Sequence, residues 1–198
     1  EAIEAYNKVL SITPDYAEAY YNIGNTLKEL GQLEEAIEAY KKALSIQPEY
    51  AEAYYNMGIA LQDQGKLVEA VSIYNKALSI KPEYALAYYN MGNALHKQGK
   101  LDKAVSAYKN ALSIQPNNAD AYYSMGVSLK DQSKLEEAIE CYEKALKINP
   151  NFESAVWNCA LCRLMIGDFD KGWELWKRRF FHSEVGKGKR NFKTAKLW

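Results

Sequence analysis

One polar side chain recurs along the chain, and its chemistry suits a peptide main chain. An asparagine, replaced once by serine, stands every 34 residues in the asparagine row: Asn22, Asn56, Asn90, Ser124 and Asn158. The asparagine amide offers one acceptor and two donors, so it can bond a peptide group without contacting its side chain. Asparagine is also a poor helix former, so something must favour it here. We predict that this row contacts a polypeptide ligand; the alternatives are bonds to backbone within the protein, or inheritance by duplication.

Two more rows accompany the first. Aromatic residues immediately precede it, forming the tyrosine row: Tyr21, Tyr55, Tyr89, Tyr123 and Trp157. One helical turn after it stand Asn25 and Asn93, in slots that hold Ile59, Val127 and Leu161 in the other copies. Tyrosine rings give a large contact area at low entropic cost, so the tyrosine row is predicted to flank a bound peptide. The alternative is that these rings pack between adjacent units.

Catalytic and metal-binding patterns are missing from the sequence. Cys159 and Cys162 form a single CxxC with no second pair or nearby histidine to complete a zinc site, and they are interpreted as buried apolar residues. His96 and His182 are isolated from nucleophiles and carboxylates. We therefore predict no catalytic residue, no metal and no cofactor, hence not an enzyme. With only three cysteines in helical settings, a cytoplasmic location is expected.

These rows must be positioned by a repeated pair of helices. The five prolines and sixteen tyrosines all fall in register with a 34-residue period. Apolar residues from Ala19 to Leu30 recur at helical spacing and stop at Gly31, and a second helix is predicted over Leu33 to Ile46, ended by Pro48. Small residues such as Gly24 and Ala36 mark where the two helices cross closely.

The period divides the chain into a predicted series of units. The array spans 1–182, with a half repeat at 1–16, full repeats at 17–50, 51–84, 85–118 and 119–152, and a divergent capping repeat at 153–182. Residues 183–198 are predicted to be a basic tail or linker. Function is expected on the shared surface of such a stack.

Charge and hydropathy exclude two classes of partner. Eight of the 25 basic residues but only two of the 25 acidic ones follow Gly172, which leaves the array acidic and unlike a nucleic-acid binder. No apolar run is long enough to span a membrane, and the first residues lack the pattern of a signal peptide.

The unit resembles the tetratricopeptide repeat. The resemblance rests on Tyr20, Ile23, Gly24, Leu27, Ala36, Tyr40, Ala43 and Pro48, slots that recur in four successive units. It implies an all-α, right-handed superhelix of antiparallel helix pairs whose first helices line a concave groove that holds other polypeptides.

The asparagine row narrows this resemblance. It is similar to the asparagine ladder of the O-linked N-acetylglucosamine transferases, which binds extended peptides. The resemblance therefore implies a scaffold that binds a peptide or partner protein in its groove. Two alternatives stay open: the chain is the substrate-recognition arm of a larger glycosyltransferase-like enzyme, or it self-associates through its ends.

Overall fold

The computed structural model of the chain describes the backbone of residues 2–184 and the side chains of residues 2–177. Within this range the chain forms eleven α-helices and no strand. The helices are α1 (Ala2–Ile12), α2 (Ala17–Glu29), α3 (Leu33–Ile46), α4 (Ala51–Asp63), α5 (Leu67–Ile80), α6 (Ala85–Lys97), α7 (Leu101–Ile114), α8 (Ala119–Asp131), α9 (Leu135–Ile148), α10 (Glu153–Met165) and α11 (Phe169–Glu184). The expected all-α architecture is confirmed. The basic tail was predicted at 183–198; residues 183–184 belong to α11, and residues 185–198 lie outside the described residues.

The helices stack as antiparallel pairs, each packed on the next. The first helix of each pair also contacts the first helix of the following pair, in the order α2, α4, α6, α8 and α10. The second helices α3, α5, α7 and α9 make no such contacts with one another in this range. A stack whose first helices lie closer together than its second helices curves toward the first helices. Their shared concave surface is called the groove below.

A buried tyrosine fixes the crossing within each pair. Tyr40, Tyr74, Tyr108 and Tyr142 are at most 1% exposed, and each ring lies against the first helix of its own pair. A Cβ atom added to Gly58 would lie 2.5 Å from Cε1 of Tyr74. The glycine slot predicted as a close helix crossing is therefore small because a tyrosine ring fills the space above it.

A left-handed backbone position ends most of the first helices. Gly31, Gly65 and Gly99 have φ of 77°, 76° and 72°, and Ser133 holds the same position with φ of 61°. This conformation costs an L residue roughly 1–2 kcal/mol, whereas glycine adopts it freely. The backbone at Ser133 is therefore strained, whereas the glycines of the other copies adopt this conformation without strain.

We expect Ser133→Gly to raise the free energy of unfolding by roughly 1 kcal/mol, because glycine removes this strain. Urea denaturation followed by circular dichroism measures the change. The matched variant Gly99→Ser is expected to lower stability by a similar amount. Equal stability of the wild type and both variants would show that the turn tolerates serine without cost.

The last pair departs from the others because different side chains fill its interior. Trp176 occupies the slot of the buried tyrosines and packs on Trp157 with ring centroids 4.5 Å apart. Arg163 ion-pairs with both Glu143 of α9 and Asp168, and so ties this pair to the preceding one. Gly172 leaves room for Leu164, since a Cβ atom there would lie 2.7 Å from Leu164 Cδ2.

Candidate functional site

The asparagine row and the tyrosine row are hydrogen-bonded to each other across adjacent units. The side-chain Nδ2 of Asn56 donates to the hydroxyl of Tyr21 at 2.8 Å. Asn90 donates to Tyr55 at 2.9 Å, and Asn158 donates to Tyr123 at 3.1 Å. We call these three bonds the Asn–Tyr ladder. Each joins residues 35 apart in sequence, so each bond links one first helix to the next.

The rings of the ladder also pack between units. Tyr21 contacts the ring of Tyr50, with 4.9 Å between the centroids. The Tyr55–Tyr84 and Tyr123–Phe152 pairs repeat this contact at 4.8 and 4.9 Å. Tilted ring pairs at such distances are favourable beyond their buried area. The tyrosine row therefore has a structural role at the unit junctions, and its half-buried rings still border the groove.

Part of the hydrogen-bonding capacity of the asparagine row remains for a ligand. The carbonyl oxygen of Asn56 accepts from Lys28 Nζ at 3.3 Å. The carbonyl oxygens of Asn90 and Asn158 have no protein donor among the described residues. Each of these two amides also keeps its second N–H, because one N–H suffices for the tyrosine bond. A peptide group in the groove finds both a donor and an acceptor there.

Asn25 and Asn93 have a different environment. The hydroxyl of Tyr40 donates to Asn25 Oδ1 at 2.9 Å, and that of Tyr108 donates to Asn93 Oδ1 at 2.8 Å. Burial raises the pKa of both phenols, because a phenolate there would lose its hydration. These asparagines thus satisfy buried hydroxyls from the groove side while keeping their N–H groups.

In the copies where another residue replaces this asparagine, the buried tyrosine hydroxyl is less well bonded. Where Ile59 replaces asparagine, Tyr74 reaches Gln62 Oε1 only at 3.4 Å. Where Val127 replaces it, the buried Tyr142 hydroxyl has no hydrogen-bond partner. A buried hydroxyl without a partner costs about 1–3 kcal/mol, so the tyrosine hydroxyls of the second and fourth copies are less well satisfied.

The sequence did not show which asparagine pairs with which tyrosine. The 34-residue period reveals the two rows that contain Asn56 and Tyr21, but not that an asparagine bonds the tyrosine of the preceding unit. The aromatic residues Tyr50, Tyr84 and Phe152, which precede α4, α6 and α10, also border this site without having been singled out. Their common 34-residue spacing was the available signal.

The three cysteines are free thiols buried in the stack. Burial raises the pKa of Cys141 and of Cys159 to about 11, so both thiols are protonated at neutral pH. Cys159 and Cys162 are fully buried, in line with the predicted apolar role. No group of three histidine, cysteine or acidic side chains suited to a metal occurs within residues 2–177. None of the described helices combines the length and the apolar character needed to cross a membrane.

Comparison with protein families matches most of the chain. The model described as TPR repeat matches residues 1–31, 24–65, 60–99 and 92–133, and the tetratricopeptide repeat model matches 119–152. The chain belongs to the tetratricopeptide repeat family. None of the curated protein sequences compared with the chain matches it.

Solved structures of other TPR proteins share the fold. MamA 41-end from Desulfovibrio magneticus RS-1 is 25% identical, with a TM-score of 0.81, and the match covers 87% of this chain and 97% of that solved chain. A second MamA crystal structure is 29% identical over 83% of this chain and 96% of its own, with a TM-score of 0.80. YrrB, described as a TPR protein with an unusual peptide-binding site, is 25% identical over 89% and 91%, with a TM-score of 0.78. The architecture is that of a protein-interaction scaffold.

Proposed function

We propose that this TPR array binds an extended polypeptide in its groove, along the Asn–Tyr ladder. The observation that carries the proposal is the free carbonyl oxygen and second N–H of Asn90 and Asn158 on a continuous row of half-buried side chains. The neighbour YrrB is described as having a peptide-binding site, which supports the same use of the fold.

The ladder makes the asparagine amides suitable for main-chain recognition. A free asparagine must lose rotamer freedom when it binds, whereas Asn90 is already held by Tyr55 at 2.9 Å. Pre-organisation of this kind lowers the ordering cost of association. Units stacked about 10 Å apart, with an extended chain advancing about 3.3 Å per residue, give about three ligand residues to each unit.

The expected affinity is modest. A main-chain hydrogen bond contributes about 1 kcal/mol net, so a few of them support weak to moderate binding once ordering costs are included. Specificity must then come from side-chain contacts along the groove.

We expect the double variant Asn90→Ala, Asn158→Ala to weaken binding of a peptide selected from a random dodecapeptide library by about tenfold, because it removes main-chain contacts in two units. Fluorescence anisotropy with the labelled peptide measures affinity, and circular dichroism measures melting. Each substitution also frees a tyrosine hydroxyl, so the melting temperature is expected to fall by a few degrees.

The matched control is Asn75→Ala, which removes an exposed asparagine from the second helix α5. It is expected to leave affinity unchanged. Equal affinity for the wild type and the folded double variant would contradict peptide binding at the ladder.

Self-association is a second candidate, favoured by apolar side chains at both ends of the stack. Ile12 of α1 is 84% exposed, and Phe169 and Trp173 of α11 are 59% and 50% exposed. Apolar residues grouped at a surface are typical of interaction sites. Light scattering at several protein concentrations tests this candidate: a mass that stays monomeric throughout excludes it.

A further inference from the structure

The Asn–Tyr ladder is interrupted at one junction, where two substitutions affect the same tyrosine. The slot that supplies a ring to Tyr21, Tyr55 and Tyr123 holds Asn118, whose side chain instead accepts from Ala121 N at the start of α8. At the other junctions of the ladder an asparagine donates to the tyrosine hydroxyl, and at this junction Ser124 stands in its place. Tyr89 therefore has neither the ring contact nor the amide bond that its equivalents have, and its hydroxyl has no hydrogen-bond partner among the described residues.

A cavity of about 270 Å³ opens into the groove beside this interruption. First helices α4, α6 and α8 contribute to its wall, and the buried second-helix residue Tyr108 closes its base. The lining residues are Gln62, Asn93, His96, Lys97, Tyr108, Tyr123, Ser124 and Val127. A single amino-acid side chain fits a space of this size. Serine leaves room where asparagine fills the equivalent place in other units.

The lining is positive and rich in hydrogen-bond donors. Lys97 is the only basic residue in its slot, which holds Glu29, Asp63 and Asp131 in the other full repeats. No carboxylate lines the cavity, and Lys97 has no ion-pair partner in the described part of the chain. The N–H groups of Asn93 are further donors.

Asp131, which follows in the same slot as Lys97, is held by other side chains. Asp131 Oδ2 lies 2.9 Å from His96 Nε2, and Lys130 Nζ lies 4.0 Å from the other oxygen of the same carboxylate. These contacts hold the Asp131 carboxylate to His96 and Lys130, and it forms no ion pair with Lys97. A donor-rich, cationic cavity without an acid selects a ligand group that is anionic and accepts hydrogen bonds.

We propose that this cavity binds the carboxylate side chain of an aspartate or glutamate in the extended polypeptide. The proposal rests on the proposed function, because the ligand's main chain must first lie along the groove. The ladder binds the ligand's main chain, which is the same in every sequence. The cavity would bind one side chain and so distinguish one ligand sequence from another.

The test uses peptides selected from a random dodecapeptide library on the wild-type protein, together with analogues in which each acidic residue is replaced by its amide. One such replacement is expected to weaken binding by about tenfold, the effect of losing a charge-assisted contact. Ser124→Asn fills the cavity and supplies the missing donor to Tyr89, and Lys97→Gln removes the charge. Both variants are expected to lose the preference for the acidic peptide, a change of about tenfold in the ratio of its affinity to that of the amide analogue.

Lys103→Gln, at an exposed site on the second helix α7, is the matched control and is expected to keep the preference for the acidic peptide. Equal binding of acidic and amide peptides by the wild type overturns the inference. The inference is also overturned if folded Ser124→Asn and Lys97→Gln still prefer the acidic peptide. Neither of these two results bears on main-chain binding at the ladder. Recovery of no peptide, or of peptides insensitive to the Asn90→Ala, Asn158→Ala variant, overturns the proposed function together with the inference.

Discussion

Replacing Tyr74 with alanine is expected to lower the free energy of unfolding by about 3–5 kcal/mol, the range for aromatic truncation in a core. The Tyr74 ring is completely buried and lies above Gly58, where no side chain exists to refill the space. The cavity would lie inside one helix pair, whose second helix α5 also packs on α6 of the next pair. Because each repeat gains stability from its neighbours, we expect the loss to spread along the stack and broaden the transition. Urea denaturation followed by circular dichroism measures both effects.

Two control variants show whether the loss comes from the ring, from its hydroxyl, or from removing any tyrosine of the repeat. Tyr74→Phe keeps the ring and loses only a 3.4 Å contact with Gln62, so its cost is expected to stay below about 1 kcal/mol. Tyr54→Ala removes a half-buried ring of the same repeat and is expected to cost less than Tyr74→Ala. A loss of less than about 1 kcal/mol for Tyr74→Ala would show that the pairs do not depend on these rings.

Alkaline pH is expected to unfold the array cooperatively. Burial raises the pKa of Tyr40, Tyr74, Tyr108 and Tyr142 above the ordinary value of 10.0. The folded chain thus keeps these four protons at a pH where the unfolded chain releases them. The stability they provide is complete below about pH 10 and decreases as pH rises beyond it toward the folded-state pKa values. Helix content and tyrosinate absorbance, recorded on the same samples, measure the transition.

One substitution tests the four buried phenols directly. We expect loss of helix to accompany their ionisation. Tyr74→Phe removes one of the four buried groups and is expected to move the alkaline midpoint upward. Full ionisation of the tyrosines with helix content retained would contradict the buried-phenol account.

The helices and their ends could be predicted because local signals determine them. The second helix expected over Leu33 to Ile46 is α3 with the same bounds, since apolar spacing and Pro48 specify it without reference to other units. The glycine at Gly24 was correctly expected to mark a close approach. Its reason, the Tyr40 ring, depends on how the two helices face each other, which the period does not specify.

The residues of the site could be predicted from the sequence, but the hydrogen bonds between them could not. The period shows that Asn56 and Tyr21 each belong to a row, but the offset between rows depends on how one unit rotates onto the next. The ladder bond between them became visible only in three dimensions. The substitutions Asn118 and Ser124 are visible in the sequence, yet their shared consequence for Tyr89 follows from that offset.

The Tyr20 row shows the limit of periodicity as a guide to burial. Tyr20 and Tyr21 are adjacent, so about 100° of helix rotation separates them, and they cannot both point to the centre of one interface. Helical spacing alone predicts a core position for this slot. Its rings are half-buried, however, and Lys42, Lys76 and Lys144 lie over three of them. Contact with a lysine stem and ammonium stabilises a ring at the edge of the core.

Side-chain amide NMR of the asparagines, recorded during titration with a library-selected peptide, tests groove binding most directly. Signals from Asn90, Asn93 and Asn158 on the first helices are expected to shift in proportion to occupancy, while those from Asn75 and Asn110 on the second helices stay fixed. Shifts confined to the second-helix asparagines, with the groove signals unchanged, would contradict the account.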